Sequence, residues 1–354
     1  MQVYAAHNFR SKGIRSMTLG AVTRGGMDRR RFAGAAFTGL GLAAGGLALG
    51  GEARAEAIVR SIHDASRLGT SESFYIPPTS LQAVADIYKR MTAPLRVNDE
   101  GPFAFVVDTG ANQSVISESL ATRLRLPRGP EAALNGVAGE QSAPTTYARL
   151  GLGRHIERNT RLFVLPDRGI GGEGMLGLDG LDGQTLTLDF AHEILRIAPA
   201  EEKLAREFDL TVKATERDGQ LTLVDADLSG IPITAFIDSG AQNTIGNMAL
   251  RAHAFGLESA KLWAPTDVIS VTGQTIPAEM ADLPNLRLGG LRMPNWPVAF
   301  ADLHTFKMWD LIDRPALLVG VDVLTRFQVV TLDFRRREVR FRLAEDPRIW
   351  LAKR

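Results

Sequence analysis

The sequence predicts a mainly β protein in which two similar lobes of one chain are related by a pseudo-two-fold axis. An apolar strand running into Asp-(Thr/Ser)-Gly-Ala occurs twice, with Asp108 and Asp238 at equivalent places. The same landmarks follow each copy in the same order, as expected for a duplicated unit. Alternating apolar residues separated by Gly, Pro and Asn indicate several short strands per copy. The hydrophobic share of 45% in 354 residues allows two modest lobes with real cores.

Residues 1–55 have the architecture of an export signal region. Arg29-Arg30 supplies the basic start, an uncharged Gly/Ala/Leu stretch follows, and Ala53-Arg54-Ala55 offers a cleavage site. With Phe32 two places on, the arginine pair resembles a twin-arginine signal, which would start at Met27. We therefore expect an exported, periplasmic protein. The alternative is a protein anchored in the membrane through the uncleaved apolar stretch.

Residues 56–90 are predicted to be a linker or a pro-segment between the signal and the lobes. The mature protein is expected to begin near Glu56 and to have no stable membrane association after signal cleavage. After Pro77-Pro78, the apolar spacing predicts a helix from Ser80 to Arg90.

Lobe 1 is predicted to span residues 91–200 and lobe 2 residues 208–343, with a carboxyl-terminal tail at residues 344–354. In each lobe a strand is expected to pass through a turn into the strand that carries the aspartate. The lobe 1 elements are residues 95–99, the turn Glu100-Gly101 and the strand Phe103 to Val107; the lobe 2 elements are residues 223–228, the turn Ser229-Gly230 and the strand Thr234 to Ile237. Each aspartate therefore ends a hairpin.

Two short helices are predicted behind the aspartates. Apolar residues have helix-like spacing from Ser117 to Leu126 and from Asn247 to Phe255, and Ser117 and Asn247 can cap these helices. Near the end of lobe 2, the run Arg335-Arg336-Arg337 is interpreted as a solvated turn between two strands.

Two carboxylates held against each other can hydrolyse peptide bonds without a metal, a cysteine or a catalytic triad. Because two like charges in contact cannot both ionise readily, the pair holds one proton. The ionised partner then takes a proton from a water molecule, and the protonated partner donates to the developing oxyanion. Asp108 and Asp238 are the candidates for this pair.

The residues next to the aspartates suit that task. Gly110 and Gly240 are expected to adopt backbone angles that other residues resist, so that the chain turns sharply. Thr109 and Ser239 supply hydroxyl groups that can hydrogen-bond across the interface between the lobes.

These motifs resemble those of the retropepsin-like aspartic peptidases, with the lobe present twice as in the pepsin arrangement, over most of residues 91–343. The resemblance implies two β-barrel lobes and catalysis by Asp108 and Asp238. It also implies a hydrophobic pair before glycine, followed by a short helix, beneath each aspartate; Met175-Leu176-Gly177 and Leu318-Val319-Gly320 match this element. Asp179 and Asp322 would then be structural residues that cap those short helices.

The family also closes a glycine-containing hairpin, the flap, over the substrate. The resemblance places flap and substrate-binding residues at Gly136-Val137-Ala138-Gly139 and at Val271-Thr272-Gly273.

Ala111 and Ala241 follow the retropepsin form of the active-site loop, where pepsin-like sequences usually have Ser or Thr. Without that hydroxyl the pair is expected to be less acidic, so activity should peak at mildly acidic to near-neutral pH.

Composition excludes several other kinds of chemistry. The chain has no Cys, so disulfides and thiol catalysis are excluded, and its net charge of +1 gives no reason to expect nucleic acid as a partner. The histidines form no metal-binding spacing, so neither a metal nor a cofactor is expected.

We expect a monomeric aspartic endopeptidase acting on polypeptides. The alternatives are an exported, non-catalytic peptide-binding or scaffold protein with the same fold and, third, an all-β carbohydrate or ligand binder.

Overall fold

A computed structural model describes residues 3–6, 79–86, 89–153, 155–179, 184–199, 208–217, 220–223, 225–256, 264–344 and 350–351. All of them belong to one compact unit, Met1–Asn8 with Tyr75–Arg354. The predicted signal region beyond residues 3–6, most of the predicted linker or pro-segment and most of the connection between the lobes lie outside the described residues. In the described ranges, no helix is long and apolar enough to cross a membrane.

The structure is mainly β, as predicted. Its elements, in chain order, are β1 (Val3–Ala6), β2 (Thr79–Gln82), β3 (Val84–Ala85), β4 (Met91–Val97), β5 (Glu100–Val107), β6 (Val115–Ser117), α1 (Glu118–Arg123), β7 (Arg128–Gly136), β8 (Gly139–Leu152), β9 (His155–Leu165), α2 (Asp167–Ile170), β10 (Gly174–Leu176), β11 (Gln184–Asp189), β12 (Ile194–Pro199), β13 (Leu210–Arg217), β14 (Gln220–Leu223), β15 (Ala226–Leu228), β16 (Ile231–Pro232), β17 (Thr234–Ile237), β18 (Ile245–Gly246), α3 (Met248–Phe255), β19 (Ala264–Ser270), β20 (Thr275–Leu283), β21 (Leu286–Leu288), β22 (Leu291–Met293), β23 (Trp296–Phe300), α4 (His304–Met308), β24 (Ala316–Val319), α5 (Val321–Leu324), β25 (Phe327–Asp333), β26 (Glu338–Leu343) and β27 (Trp350–Leu351).

The strands form three sheets. An eight-stranded sheet of lobe 1 has the order β3-β4-β5-β10-β6-β9-β8-β7, and an additional pairing of β4 with β8 curls it. A fourteen-stranded sheet, β1-β19-β20-β23-β18-β24-β17-β14-β13-β26-β25-β11-β12-β2, runs from lobe 2 into the last strands of lobe 1. A five-stranded sheet, β16-β15-β21-β22-β27, completes lobe 2.

The two lobes join near one end of the fourteen-stranded sheet. Strand β11 of lobe 1 pairs antiparallel with β25 of lobe 2, and the hydroxyl groups of Thr187 and Thr331 hydrogen-bond there at 3.1 Å. Both strands end in Leu-Asp, and Phe190 or Phe334 follows in the turn. Asp189 accepts the backbone N–H of His192, and Asp333 accepts that of Arg336, so each aspartate closes the turn after its strand. The repeated Leu-Asp-Phe landmark is therefore a turn signal at the junction of the lobes.

The predicted helix from Ser80 to Arg90 is wrong. Thr79–Gln82 is a strand that pairs antiparallel with residues 194–197, and Val84–Ala85 pairs with the start of β4. Strand β2 takes the same place beside β12 that β13 takes beside β26 in lobe 2. Residues 79–82, which lie in the predicted linker or pro-segment, are therefore part of the sheet that joins the lobes.

The two predicted helices and their caps are confirmed. Helix α1 begins after Ser117, whose side chain accepts the N–H of Leu120, and α3 begins after Asn247, whose side chain accepts the N–H of Leu250.

The predicted turn at Ser229-Gly230 is present, but the lobe 1 turn lies at Asn98-Asp99, ahead of the predicted Glu100-Gly101. The turn before β26 includes Arg335-Arg336-Arg337, as predicted.

Candidate active site

Each candidate aspartate stands at the end of a central strand held between two neighbours. Strand β5 runs parallel to β10, and β17 runs parallel to β24 in the same arrangement. The N–H of Asp108 donates to the carbonyl of Leu176 at 2.9 Å, and the N–H of Asp238 donates to that of Val319 at 3.0 Å. The hydrophobic pairs predicted to lie beneath the aspartates thus fix the backbone at both positions.

Thr109 and Ser239 tie the two active-site loops together across the lobes. The Thr109 hydroxyl donates to the carbonyl of Ile237 at 2.9 Å and accepts the N–H of Ser239 at 3.0 Å. The Ser239 hydroxyl donates to the carbonyl of Val107 at 2.8 Å and accepts the N–H of Thr109 at 3.1 Å. These four reciprocal hydrogen bonds set the distance between the two aspartates.

Replacement of Thr109 by Val is expected to lower the free energy of unfolding by about 2–4 kcal/mol. Val keeps the branched shape but leaves the buried Ile237 carbonyl and Ser239 N–H without this partner, and each such loss costs roughly 1–3 kcal/mol. Denaturant unfolding of the variant measures the loss. Thr109→Ser, which keeps the hydroxyl, is the control; equal stability of the Val and Ser variants would contradict the assigned hydrogen bonds.

The two carboxyl groups are buried together and face each other. Asp108 is 0% exposed and Asp238 is 1% exposed. One carboxylate oxygen of Asp108 accepts the N–H of Gly110 at 2.8 Å; in Asp238 the corresponding oxygen accepts the N–H groups of Gly240 and Ala241 at 2.9 and 3.1 Å. Gly110 lies against the carboxyl group of Asp238 and Gly240 against that of Asp108, and the charge of Asp108 acts on Asp238. The structure therefore brings together two aspartates that lie far apart in the chain.

Burial raises the pKa of Asp238 to about 7, and the negative charge of Asp108 acts in the same direction. Removal from water disfavours a charged carboxylate, and a like charge at contact distance adds to this effect. The pair therefore retains a proton up to near-neutral pH. A group that holds a proton beside one that can accept a proton is the arrangement required for acid and base catalysis in one step.

The raised pKa of Asp238 makes folding stability depend on pH. Its stabilising contribution is complete below the unfolded-state pKa of about 3.9 and is lost as the pH rises through 7, because the folded chain binds the proton more tightly. Asn at this position carries no charge at any pH. We expect Asp238→Asn to melt at a higher temperature than the wild type at pH 8, with the difference shrinking towards pH 4. A difference in Tm that is the same at both pH values would contradict this.

Gly110 and Gly240 are required by close approach and not by backbone angles. Neither has a positive φ, so the expected conformational reason is wrong. A Cβ at Gly110 would lie 2.5 Å from Cγ of Asp238, and a Cβ at Gly240 would overlap the carboxyl group of Asp108. Each glycine thus leaves space for the aspartate of the opposite lobe.

Asp179 and Asp322 support the loops through hydroxyl groups. Ser114 donates its hydroxyl to Asp179 at 2.7 Å and accepts the N–H of Gly177. Thr244 donates to Asp322 at 2.8 Å and accepts the N–H of Gly320, and Nε1 of Trp296 also donates to Asp322. Burial raises the pKa of Asp322. Asp322 lies in the first turn of α5, whose N-cap is Gly320 and has no side-chain cap hydrogen bond, so the predicted capping role of Asp322 is wrong. Residues 180–183 of lobe 1 lie outside the described residues.

The predicted flap residues lie at the tips of two hairpins. Strands β7 and β8 form flap 1, with Val137 and Ala138 at its tip, and β19 and β20 form flap 2, with Val271, Thr272 and Gly273 at its tip. Each tip packs in the opposite lobe. Val137 is buried among lobe 2 residues that include Ile245 and Phe306. Val271 is buried in a cluster of lobe 1 that includes Ile170.

Two contacts hold the flap tips, and their residues have no distinctive signal in the sequence. The N–H of His304 donates to the carbonyl of Val137 at 2.8 Å. The backbone of Val271 lies against Gly169, where a Cβ would overlap the Val271 carbonyl. Because both flap tips are docked and both aspartates are buried, a substrate can reach the carboxyl groups only after the flaps move.

A cavity of about 210 Å³ lies between the lobe 1 active-site loop, flap 1 and α4. The sequence analysis also did not identify Gln220 and Thr305, which line it. Gln220 precedes Asp238 by the same interval in the chain at which Arg90 precedes Asp108, so the repeat itself marks both positions. Trp309 lines the cavity as well and stacks on Phe236 at 4.1 Å between ring centroids.

Within the described part of the chain, no group of three or more His, Asp or Glu side chains could hold a metal ion.

A comparison with protein families gives one match that covers both lobes. The family described as Aspartyl protease matches residues 93–179 and 224–323, which together make up more than half of the chain. Each matched segment contains one of the two buried aspartates and the hydrophobic pair that precedes its glycine. Among curated proteins, none matches the chain.

Proposed function

The chain belongs to the aspartyl protease family, and we propose that it is an endopeptidase that hydrolyses peptide bonds with a water molecule activated between Asp108 and Asp238. The observation that carries this proposal is the buried pair of carboxyl groups, one from each lobe, that influence each other's charge. Loss of either aspartate would have favoured the non-catalytic, peptide-binding alternative. Both are present at equivalent places in the fold.

In the proposed first step, water attacks the scissile carbonyl carbon. The ionised carboxylate of the pair accepts one proton from the water as the new C–O bond forms, and the protonated carboxyl group donates its proton to the carbonyl oxygen. The product is a neutral tetrahedral intermediate with two hydroxyl groups on the former carbonyl carbon. The raised pKa of Asp238 supports this step, because it keeps one proton on the pair at mildly acidic to near-neutral pH.

In the proposed second step, the intermediate collapses and the C–N bond breaks. The carboxyl group that took the proton from water gives a proton to the leaving nitrogen, and the other carboxylate recovers a proton from a hydroxyl group as the new carbonyl forms. One carboxylic acid and one amine are released, and the pair returns to its starting protonation. The chemistry requires only water and the two aspartates.

The proposed substrate is an extended polypeptide that lies between the lobes under the two flaps. The docked flap tips support a cycle in which the flaps open, admit the chain and close over it, which excludes bulk water from the carboxyl pair. We further propose an exported, periplasmic enzyme that acts as a monomer, since one chain supplies both aspartates and its amino terminus has signal-like architecture.

Digestion of an unfolded protein tests the proposed function. The purified chain is expected to generate new internal termini, identified by mass spectrometry. A peptide in which a hydroxyl-bearing tetrahedral carbon replaces the scissile carbonyl should inhibit it far more strongly than the parent peptide inhibits, since it mimics the intermediate. If peptides bind and no new termini form under any pH between 4 and 8, the chain is a peptide-binding protein and the proposed hydrolysis is wrong.

A further inference from the structure

The cavity beside Asp108 has an uncharged lining that is mostly apolar but includes the amides Asn112, Gln113 and Asn135. Its walls come from the active-site loop of lobe 1, flap 1, the tip of flap 2 and α4. The aromatic and sulfur-containing members of the lining are Phe163, Met175, Met308 and Trp309. None of the described residues that line it carries a charge. A charged substrate side chain would therefore lose its water here without gaining a partner of opposite charge, which disfavours its binding.

Gln220 lines this cavity and has one unsatisfied acceptor atom. The residue is 3% exposed, and its Nε2 donates across the lobes to the carbonyl of Gly110 at 2.6 Å. That bond fixes the orientation of the amide, because the opposite orientation would place two acceptor oxygens together. The remaining atom, Oε1, is buried and accepts no hydrogen bond from the residues that the structure describes. A buried acceptor left in this state is unfavourable, and a substrate donor that binds it removes this cost.

Thr305 adds a second buried polar atom. The residue lies on α4, lines the same cavity and is 6% exposed. Its Oγ1 forms no hydrogen bond with any described residue. A hydroxyl can donate one hydrogen bond and can also accept. The cavity thus combines an aromatic and thioether lining with one acceptor and one hydroxyl that have no partner among the described residues.

We propose that this cavity binds a tyrosine side chain of the substrate polypeptide, next to the peptide bond held by the two aspartates; this inference rests on the proposed function. The ring packs against Phe163, Trp309 and the methionines. The phenol hydroxyl donates to Oε1 of Gln220 and can accept from Thr305. Phenylalanine fills the same space and leaves the acceptor unsatisfied, and a site built to bind a hydroxyl strongly rejects the analogue that lacks it.

The equivalent position of lobe 1 holds a different group. Arg90 is buried, forms an ion pair with Asp86 at 2.5 Å and donates to the carbonyl of Ile170 at 3.0 Å. These contacts hold it within lobe 1, whereas Gln220 reaches from lobe 2 to the loop behind Asp108. The fold is duplicated, but the two sides of the carboxyl pair present different chemistry. Selection for tyrosine is accordingly expected on one side of the scissile bond only.

Matched peptides test this inference. Cleavage sites mapped in unfolded proteins give the register, and peptides that differ only in Tyr, Phe or Leu at each position near the cut are then compared by kcat/KM. At one position the wild type should prefer Tyr to Phe by at least tenfold. Gln220→Met and Thr305→Val should each reduce that ratio, with Gln220→Met bringing it near one. Thr211→Val, an exposed threonine of β13, is the control and should leave the ratio unchanged.

Any of three cleavage results would overturn the inference. First, the wild type could cleave the Tyr and Phe peptides equally. Second, the Gln220→Met variant could retain the preference for Tyr. Third, this variant could lower kcat/KM for both peptides by the same factor, which would mean that Gln220 only holds Gly110 in place. If no peptide is cleaved, the proposed function fails, but binding still tests the inference. Calorimetry should show that the Asp108→Asn variant binds the Tyr peptide more tightly than the Phe peptide. Equal affinities for the two peptides would overturn the inference.

Discussion

Asp108→Asn and Asp238→Asn, made separately, are each expected to lower kcat/KM for peptide cleavage by about 10³-fold or more. Asn has nearly the shape of Asp but cannot hold or accept the proton that the pair exchanges with water, and positioned acid–base groups contribute roughly 10²–10⁴-fold each. In the proposed mechanism the two carboxyl groups act as one unit, so loss of either would remove both functions. Initial rates on a quenched peptide substrate, with circular dichroism to verify the fold, measure the effect.

The matched control is Asp209→Asn. Asp209 is exposed beside the start of β13 and accepts the N–H of Leu343 through a carboxylate oxygen, a bond that an amide oxygen can replace. This variant should keep kcat/KM within about twofold of the wild type, as surface substitutions usually do. Cleavage that persisted in both active-site variants would mean that another pair of groups performs the hydrolysis.

Gly110→Ala and Gly240→Ala are expected to reduce kcat/KM by about 10²-fold or more although both aspartates remain. The added methyl group occupies the space of the opposite carboxyl group, with 2.5 Å between a Cβ at Gly110 and Cγ of Asp238. The two aspartates must therefore move apart, and misplacement by about 1 Å costs on the order of 10²-fold in rate. The same steady-state assay, together with Tm, reports the effect.

Gly290→Ala is the control for this pair. Gly290 has no positive φ, and a Cβ there would meet only Cδ1 of Leu210 at 3.5 Å, which is ordinary van der Waals contact. It should retain wild-type activity. Full activity of Gly110→Ala would show that the carboxyl groups do not need the separation seen in the structure.

The repeat in the sequence predicted the elements whose signals are local. The apolar strands into Asp108 and Asp238, the hydrophobic pairs beneath them and the caps at Ser117 and Asn247 all depend on residues close together in the chain. The duplication then placed these elements in equivalent positions of two lobes, so the mainly β, two-lobed fold followed from the pattern.

Other features depend on partners far away in the chain, which a local pattern does not contain. The segment after Pro77-Pro78 has helix-like spacing, but Thr79–Gln82 finds an open strand edge at residues 194–197 and pairs there. Similarly, the need for glycine at Gly110 arises from the carboxyl group of Asp238, which belongs to the other lobe. The docking of the flap tips and the Gln220 acceptor are of the same kind, because each is defined by contact with the opposite lobe.

Titration of the aspartate carboxyl carbons by ¹³C NMR tests most directly that the two side chains act as one coupled pair. In the wild type, Asp238 is expected to titrate near pH 7, far above the ordinary value for aspartate. In Asp108→Asn its pKa should fall, because the neighbouring charge is gone, while burial keeps it above the ordinary range. An Asp238 carboxyl that titrates near pH 4 in the wild type and does not respond to Asp108→Asn would contradict the account.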